Sequence, residues 1–339
     1  MPRVLRVSPT TPEPAVIAEA AAVLARGGLV AFPTETVYGL GARGLHESDV
    51  GLIFSAKGRP KGHPLILHVD GEAMARTLAS TWPERASLLA NAFWPGPLTM
   101  VVARAPHVPD VVSGGLDTVG VRAPQHPVAL ALIRAVGEPL AAPSANAHTH
   151  VSPTTAAHVV RSLGDRVELV LDAGPCAHGI ESTVVDMTGN PPRVLRAGAT
   201  SLEALRGVVP DVTYDAITMT GDAARASPGL ASKHYAPRTR VVLADQGPKF
   251  SADLVKIAAN ATRVGVVVWS AEARSVTGAT VALVMRAVLP GDPEGYARGI
   301  FAALHEADEA SLDVLVLERV PDAPAWWAVA DRLRRAAEK

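Results

Sequence analysis

Cysteine is all but missing from this chain. Cys176 is the only one in 339 residues. That excludes a disulfide framework and leaves too few ligands for a cysteine-based zinc site. Aromatic residues are also scarce, at 4% of the chain, which is too few for the stacking platforms that hold single-stranded nucleic acid. Neither sign of charge dominates: 32 Lys and Arg stand against 33 Asp and Glu, a formal net charge of −1. No global field draws the chain to nucleic acid, so any anion site must be local. No uninterrupted apolar stretch reaches the length of a membrane span, and Met1 to Thr11 lacks the apolar core of a secretory signal. A cytoplasmic protein is expected. Two catalytic signatures are absent as well. Without G-x-x-x-x-G-K-[ST] there is no P-loop, and without G-x-S-x-G there is no nucleophile elbow.

What is present suffices for a sizeable core. Hydrophobic residues make up 48% and charged residues 19%, which argues against wholesale disorder. The length suits roughly two domains. Residues 12 to 28 read as a helix, with Ile17, Ala20, Ala21 and Leu24 on one face, Thr11 as cap and Gly27-Gly28 as stop. Strands are expected at Leu29 to Phe32, Leu65 to Val69, Leu98 to Ala103, Val119 to Arg122, Leu140 to Ala142, Val167 to Leu171, Thr183 to Asp186 and Arg193 to Leu195. From about 209 to 238 the periodicity is lost, which marks a linker. A second α/β pattern follows from 239, and Asp292-Pro293-Glu294 has the N-cap, N1 proline and first-turn acid that open a helix. Alternating strands and helices predict a mostly parallel, Rossmann-like sheet there.

Gly39-Leu40-Gly41-Ala42-Arg43-Gly44 spells the dinucleotide fingerprint G-x-G-x-x-G. A true fingerprint begins where its strand ends. Here Pro33-Thr34-Glu35-Thr36-Val37-Tyr38 intervenes, which weighs against a nicotinamide enzyme. That segment sets two hydroxyls, a carboxylate and a phenol between apolar flanks. It reads equally as an ordinary hairpin turn or as a polar pocket wall.

A basic run, Lys57-Gly58-Arg59-Pro60-Lys61-Gly62-His63-Pro64, leads straight into the apolar Leu65-Ile66-Leu67 and His68. Glycines and prolines between the charges predict a shaped loop, and fixed cations beside a buried strand suit a polyanion such as a nucleotide. Ala142-Pro143-Ser144-Ala145-Asn146 offers small residues for close backbone approach and neutral hydrogen-bonding groups, or else a plain helix cap. Arg122 and Arg196 emerge singly from apolar segments. Each is either a surface arginine or a bidentate partner for carboxylate or phosphate. His148 and His150 lack a carboxylate at metal-ligand spacing and read as surface residues. Cys176 reads as a space filler.

Taken in order, Pro33 to Gly41, Lys57-Gly58-Arg59-Pro60, Pro95-Gly96-Pro97-Leu98-Thr99, Val121-Arg122, Pro143-Ser144-Ala145-Asn146, Glu181 to Asp186 and His234-Tyr235-Ala236-Pro237 resemble the L-threonylcarbamoyladenylate synthase family. The first six match its YrdC-like catalytic domain, and the last matches the linker of its two-domain form. The resemblance implies an α/β protein. A twisted open sheet with a concave basic cavity would occupy 1–208, a linker over the active site 209–238, and a smaller Rossmann-like parallel domain 239–339.

It further implies a nucleotidyltransferase that joins L-threonine, bicarbonate and ATP, with Mg²⁺ accompanying ATP. A downstream threonylcarbamoyl-transferase complex would then act on tRNA, which the protein itself would contact at most weakly. Carried over by motif, Thr36, His68, Arg122, Ala142 and Ser182 would hold threonine. Lys57, Arg59, His63, Thr118, Ser144, Asn146, Ser152 and Arg196 would line the ATP side, with His234 and Tyr235 reaching in from the linker. Lys57 and Arg59 would neutralise charge during the reaction. The chain departs from the family pattern at His63, where asparagine is common, at Ala197 after Arg196, and at Ala147-His148-Thr149-His150.

Overall fold

The computed structural model describes residues 1–214, 235–275 and 282–337. These fall into two compact units, 1–148 with 152–214, and 149–151 with 235–337.

The first unit holds strands β1 (Arg3–Arg6), β2 (Val30–Phe32), β3 (Gly39–Arg43), β4 (Ile66–His68), β5 (Leu98–Ala103), β6 (Thr118–Arg122), β7 (Leu140–Ala141), β8 (Leu169–Asp172), β9 (Thr183–Asp186) and β10 (Arg193–Arg196). They form one sheet in the order β1-β8-β2-β3-β7-β4-β6-β5-β9-β10. Period-two alternation explains why this sheet is covered on both faces. Ala31 and Val170 point into one apolar cluster, while their strand neighbours Val30, Phe32, Leu169 and Leu171 point into the other. The helices Pro14–Ala25 and Pro127–Val136 cover the second face, burying Ile17, Ala20, Val23, Leu24 and Val128, Ala129, Leu132, Ile133. Pro14 opens its helix after Glu13, and Ser8 rather than the helix accepts from the Thr11 amide. Thr11 is therefore not the cap.

The sheet is mixed. The β1/β8, β8/β2, β4/β6 and β5/β9 pairs are parallel, while β2/β3, β3/β7, β7/β4, β6/β5 and β9/β10 are antiparallel. The six-residue connection from 33 to 38 is long enough to turn β2 back on β3 and too short for a parallel crossover. The would-be fingerprint is β3 itself. A Cβ on Gly41 would meet the Phe32 ring at 2.7 Å, so this glycine admits an aromatic side chain rather than a phosphate.

Residues 209–214 still pack with this unit. Val209 and Val212 are buried, and the Thr213 amide donates to Pro192 O at 3.0 Å. Residues 215–234 of the expected linker lie outside the described residues.

In the second unit β11 (Arg240–Ala244), β12 (Val264–Val268), β13 (Leu283–Val288) and β14 (Val314–Glu318) form a wholly parallel sheet in the order β11-β14-β12-β13. Asp292 caps the helix Pro293–Glu309 as its sequence predicts, accepting from the Gly295 amide at 2.7 Å. Among the described residues no helix is long and apolar enough to cross a membrane.

Candidate active site

Three strands set the positions of the expected site residues. β4 and β6 run parallel with His68 opposite Arg122, and β7 runs antiparallel to β4 with Leu140 opposite His68. Moving along β7 past its end therefore means moving from the C-terminal to the N-terminal end of β4. Ala142 sits midway, its amide donating to Ile66 O at 3.0 Å. Ser144 and Asn146 follow beyond it.

At the C-terminal ends stand His68, Arg122 and, across from them, the 33–38 turn. Arg122 lies within 2.7 Å of Glu35 Oε1, and each side chain is only 5% exposed. Its Nε donates to Gly96 O at 3.3 Å. Neither Glu35 oxygen accepts a hydrogen bond, and Arg122 Nη2 donates none. His68 is buried with Nδ1 unpartnered. Burial first, and the Arg122 guanidinium second, push its imidazole down to about 3, so it is neutral at physiological pH. The Thr34 hydroxyl donates to Val37 O at 2.6 Å, so it accepts from the fully buried Thr36 hydroxyl 2.8 Å away. The 96–97 turn joins this end to β9, because the Thr183 amide donates to Pro97 O at 3.0 Å. Ser182, just before β9, shares its hydroxyl with Thr99 at 2.8 Å and Arg196 at 3.1 Å.

At the N-terminal end of β4 stands the cationic group. Lys57 is the last residue of the helix Glu47–Lys57 and not part of a loop. Gly58 ends that helix in the left-handed region, φ 62°. The Gly58 amide donates to Ser55 O and the Arg59 amide to Phe54 O, the paired bonds of a Schellman cap. The chain thus leaves the helix at the point that separates Lys57 from Arg59. Lys57 Nζ, buried, donates to the carbonyls of Ser144 and Asn146. Burial, then Arg59 and Arg166, hold this amine well below the usual lysine range. Arg59 is buried and donates to Pro64 O at 3.1 Å. His63 is half-buried, lowered by burial and by Arg59. It meets His148 edge to face at 5.4 Å between ring centroids. The Leu65 amide donates to Val112 O at 2.8 Å, which lays the end of this loop against the segment that leads to Thr118. Thr118 and Arg122 occupy opposite ends of β6, roughly 13 Å apart.

The structure therefore gathers Thr36, His68, Arg122 and Ser182 near one end of the central strands. Lys57, Arg59, His63, Ser144 and Asn146 collect at the other, with Ala142 between them. Two further residues expected on the nucleotide side also contact the segment before β9. Arg196 donates through Nε and Nη2 to Ser182 O, at 3.1 and 3.0 Å, and Ser152 donates to Glu181 Oε1 at 2.6 Å. His234 lies outside the described residues. Tyr235 belongs to the second unit, where it stacks on Phe301 at 5.6 Å beneath the Arg332 guanidinium. Glu35 and His148 joined no residue set at the level of sequence. Their partners, Arg122 and His63, are distant in the chain, so no local spacing could have revealed them. His150 is exposed as expected, whereas His148 is half-buried. Cys176 is buried in the core, and burial pushes its thiol well up.

Comparison with known proteins gives the family. Residues 22–198 match the Sua5/YciO/YrdC family model, described as telomere recombination. Residues 200–338 match the model described as the threonylcarbamoyl-AMP synthase C-terminal domain. The threonylcarbamoyl-AMP synthase of Pyrococcus abyssi is 40% identical over 94% of this chain and 93% of its own length. That of Bacillus subtilis is 38% identical over 95% and 92%. The crystal structure of P. abyssi Sua5 complexed with L-threonine superposes with a TM-score of 0.90 at 39% identity, covering 98% of this chain and 97% of that one. With both family domains matched in order and relatives aligned from end to end, the chain belongs to the two-domain threonylcarbamoyl-AMP synthase family.

Proposed function

We propose that this enzyme condenses L-threonine, bicarbonate and ATP into threonylcarbamoyl-AMP and pyrophosphate, for the threonylcarbamoyladenosine modification of tRNA. What carries the reading is the β7 extension. It links a buried arginine, histidine and hydroxyl group at one end of the central strands to a lysine and arginine group at the other, the two kinds of partner that an amino acid and a triphosphate need.

Arg122 holds the threonine carboxylate, since a guanidinium fork matches it. Thr36 and Ser182 offer hydroxyls to the substrate side chain, and the backbone at Ala142 and the neutral His68 border it. The threonine amine adds to bicarbonate, giving a carbamate. A carbamate oxygen attacks the α-phosphorus, and pyrophosphate leaves. Lys57, whose proton the phosphates favour against its burial, and Arg59 offset charge on the phosphates. His63, Thr118, Ser144 and Asn146 border the nucleotide, and Ser152 and Arg196 support it through Glu181 and Ser182. Positioning and charge neutralisation supply most of the acceleration, so no protein nucleophile is needed.

Magnesium enters with ATP as part of the substrate. Among the described residues no three carboxylate, histidine or cysteine groups cluster to hold an ion of their own. His234 and Tyr235 would add to the nucleotide side, as the family resemblance implies. The product passes to a separate transferase that acts on tRNA in the cytoplasm, and any direct tRNA contact is weak, in line with the near-zero net charge.

The test is pyrophosphate release with ATP, Mg²⁺, bicarbonate and L-threonine. The reading requires release that depends on threonine. Salt-sensitive tRNA binding without turnover would replace it with a nucleic-acid-binding role.

A further inference from the structure

Buried ion pairs are ordinarily saturated with further hydrogen bonds, because desolvating two charges is repaid only when their remaining donors and acceptors are satisfied. The Glu35–Arg122 pair departs from that rule. Both side chains are 5% exposed and 2.7 Å apart. Yet both carboxylate oxygens lack a hydrogen-bond donor, and Arg122 Nη2 lacks an acceptor. Glu35 is also held from its backbone, where its carbonyl accepts from the His178 amide at 2.8 Å, so the turn sets where its carboxylate stands.

An α-amino acid is a zwitterion. A buried cation and anion, side by side and short of hydrogen bonds, present the complementary charges in matching order. Building on the activity proposed above, we infer that Glu35 receives the ammonium of the substrate while Arg122 receives its carboxylate, and that Glu35 takes the proton this ammonium must lose before the amine can react.

The balance closes. Threonine ammonium and bicarbonate give the carbamate, one water and one proton. The new bond is N–C, and the broken bonds are two N–H bonds and the C–OH bond of bicarbonate; one proton passes to the Glu35 carboxylate and the other leaves with the hydroxyl as water. The groups around Glu35 leave it that role. Arg122 on β6 is permanently cationic. His126, in the turn after β6, is lowered by burial although Glu35 opposes this. The buried Cys176 thiol is pushed up, in part by Glu35. His68, beside Arg122, is neutral. Glu35 is the one anion among them.

The experiment compares L-threonine with 3-hydroxybutyrate, which keeps the carboxylate and hydroxyl but has no ammonium. Both are titrated calorimetrically into the wild type and into Glu35→Gln, whose amide keeps the shape without the charge. The wild type is expected to prefer threonine by at least about 100-fold, and Glu35→Gln by less than about tenfold. Pyrophosphate release by Glu35→Gln should fall at least about 100-fold at pH 7 and recover about tenfold per pH unit toward pH 9, as solvent deprotonates the ammonium. A structural role for Glu35 would not produce that recovery. If Glu35→Gln does not fold, Glu35→Asp, with a shorter reach, should lower kcat while the KM for ATP stays unchanged. Wild-type ligand preference with a wild-type pH profile in Glu35→Gln, or wild-type kcat in Glu35→Asp, overturns the assignment. A wild type without threonine-dependent turnover instead overturns the proposed activity.

Discussion

His68 and Arg122 stand opposite each other on neighbouring parallel strands, β4 and β6, and the arginine helps keep the buried histidine uncharged. The pairing has a cost in acid. The unfolded chain binds a proton on this imidazole near pH 6.5, and the folded chain only near pH 3. Between those values the unfolded state holds more protons, so stability falls as pH is lowered. From pH 7 to pH 4.5 the loss from His68 is up to about 3 kcal/mol. Denaturant unfolding at the two pH values should show a smaller loss for His68→Gln than for the wild type. Equal losses would remove His68 as the cause.

Arg122→Ala should raise the KM for threonine by about 100-fold or more, the cost of losing a charge-assisted carboxylate contact, and leave the KM for ATP within about threefold. It also strands the buried Glu35 carboxylate, which costs about 3–5 kcal/mol of stability. Adding Glu35→Gln to Arg122→Ala should restore most of that stability, as read from urea midpoints. A double variant no more stable than Arg122→Ala would show that the pair is not coupled.

Lys57 and Arg59 should separate in the same way. Lys57 Nζ ties down the Ser144 and Asn146 carbonyls, so Lys57→Met is expected to cost about 1.5–3 kcal/mol per lost contact and to weaken binding of a non-hydrolysable ATP analogue. Arg59→Ala should weaken ATP use with a smaller stability loss and an unchanged KM for threonine. Melting temperatures beside steady-state kinetics test both. An Arg59→Ala enzyme with wild-type turnover at limiting ATP would contradict its role.

The two residues on either side of Gly58 reach different places because of its left-handed backbone, φ 62°, in open space. Gly58→Ala meets no neighbour, so its cost is backbone strain alone, about 1 kcal/mol, and Gly58→Asn should cost less. Both should raise the KM for ATP more than that for threonine, because the strain falls between Lys57 and Arg59. A rise confined to threonine would contradict this placement.

Much of the fold was legible in sequence where the chemistry is local. Strands such as Leu98–Ala103 and Thr183–Asp186 carry runs of buried β-formers, and the Asp292 cap is written in three consecutive residues. β3 was not legible. Gly39-Leu40-Gly41-Ala42-Arg43 has little strand preference of its own and is extended because β2 and β7 pair with it on both sides. The helix Pro127–Val136 was missed as well, in a run that is apolar at nearly every position. In the site, residue types and order marked the cationic loop and the Ser144–Asn146 segment. They could not reveal that Lys57 ends a helix, that Arg196 turns to Ser182, or that Glu35 meets Arg122. Those relations arise only when separate strands are brought into register.

The most direct test of the proposed activity follows the carbon atom. Supplied with ¹³C-bicarbonate, ATP, Mg²⁺ and L-threonine, the enzyme should form threonylcarbamoyl-AMP heavier by one mass unit than that made from unlabelled bicarbonate, as read by mass spectrometry, and none when threonine is omitted. An adenylated product without the label, or one that forms without threonine, would contradict the account.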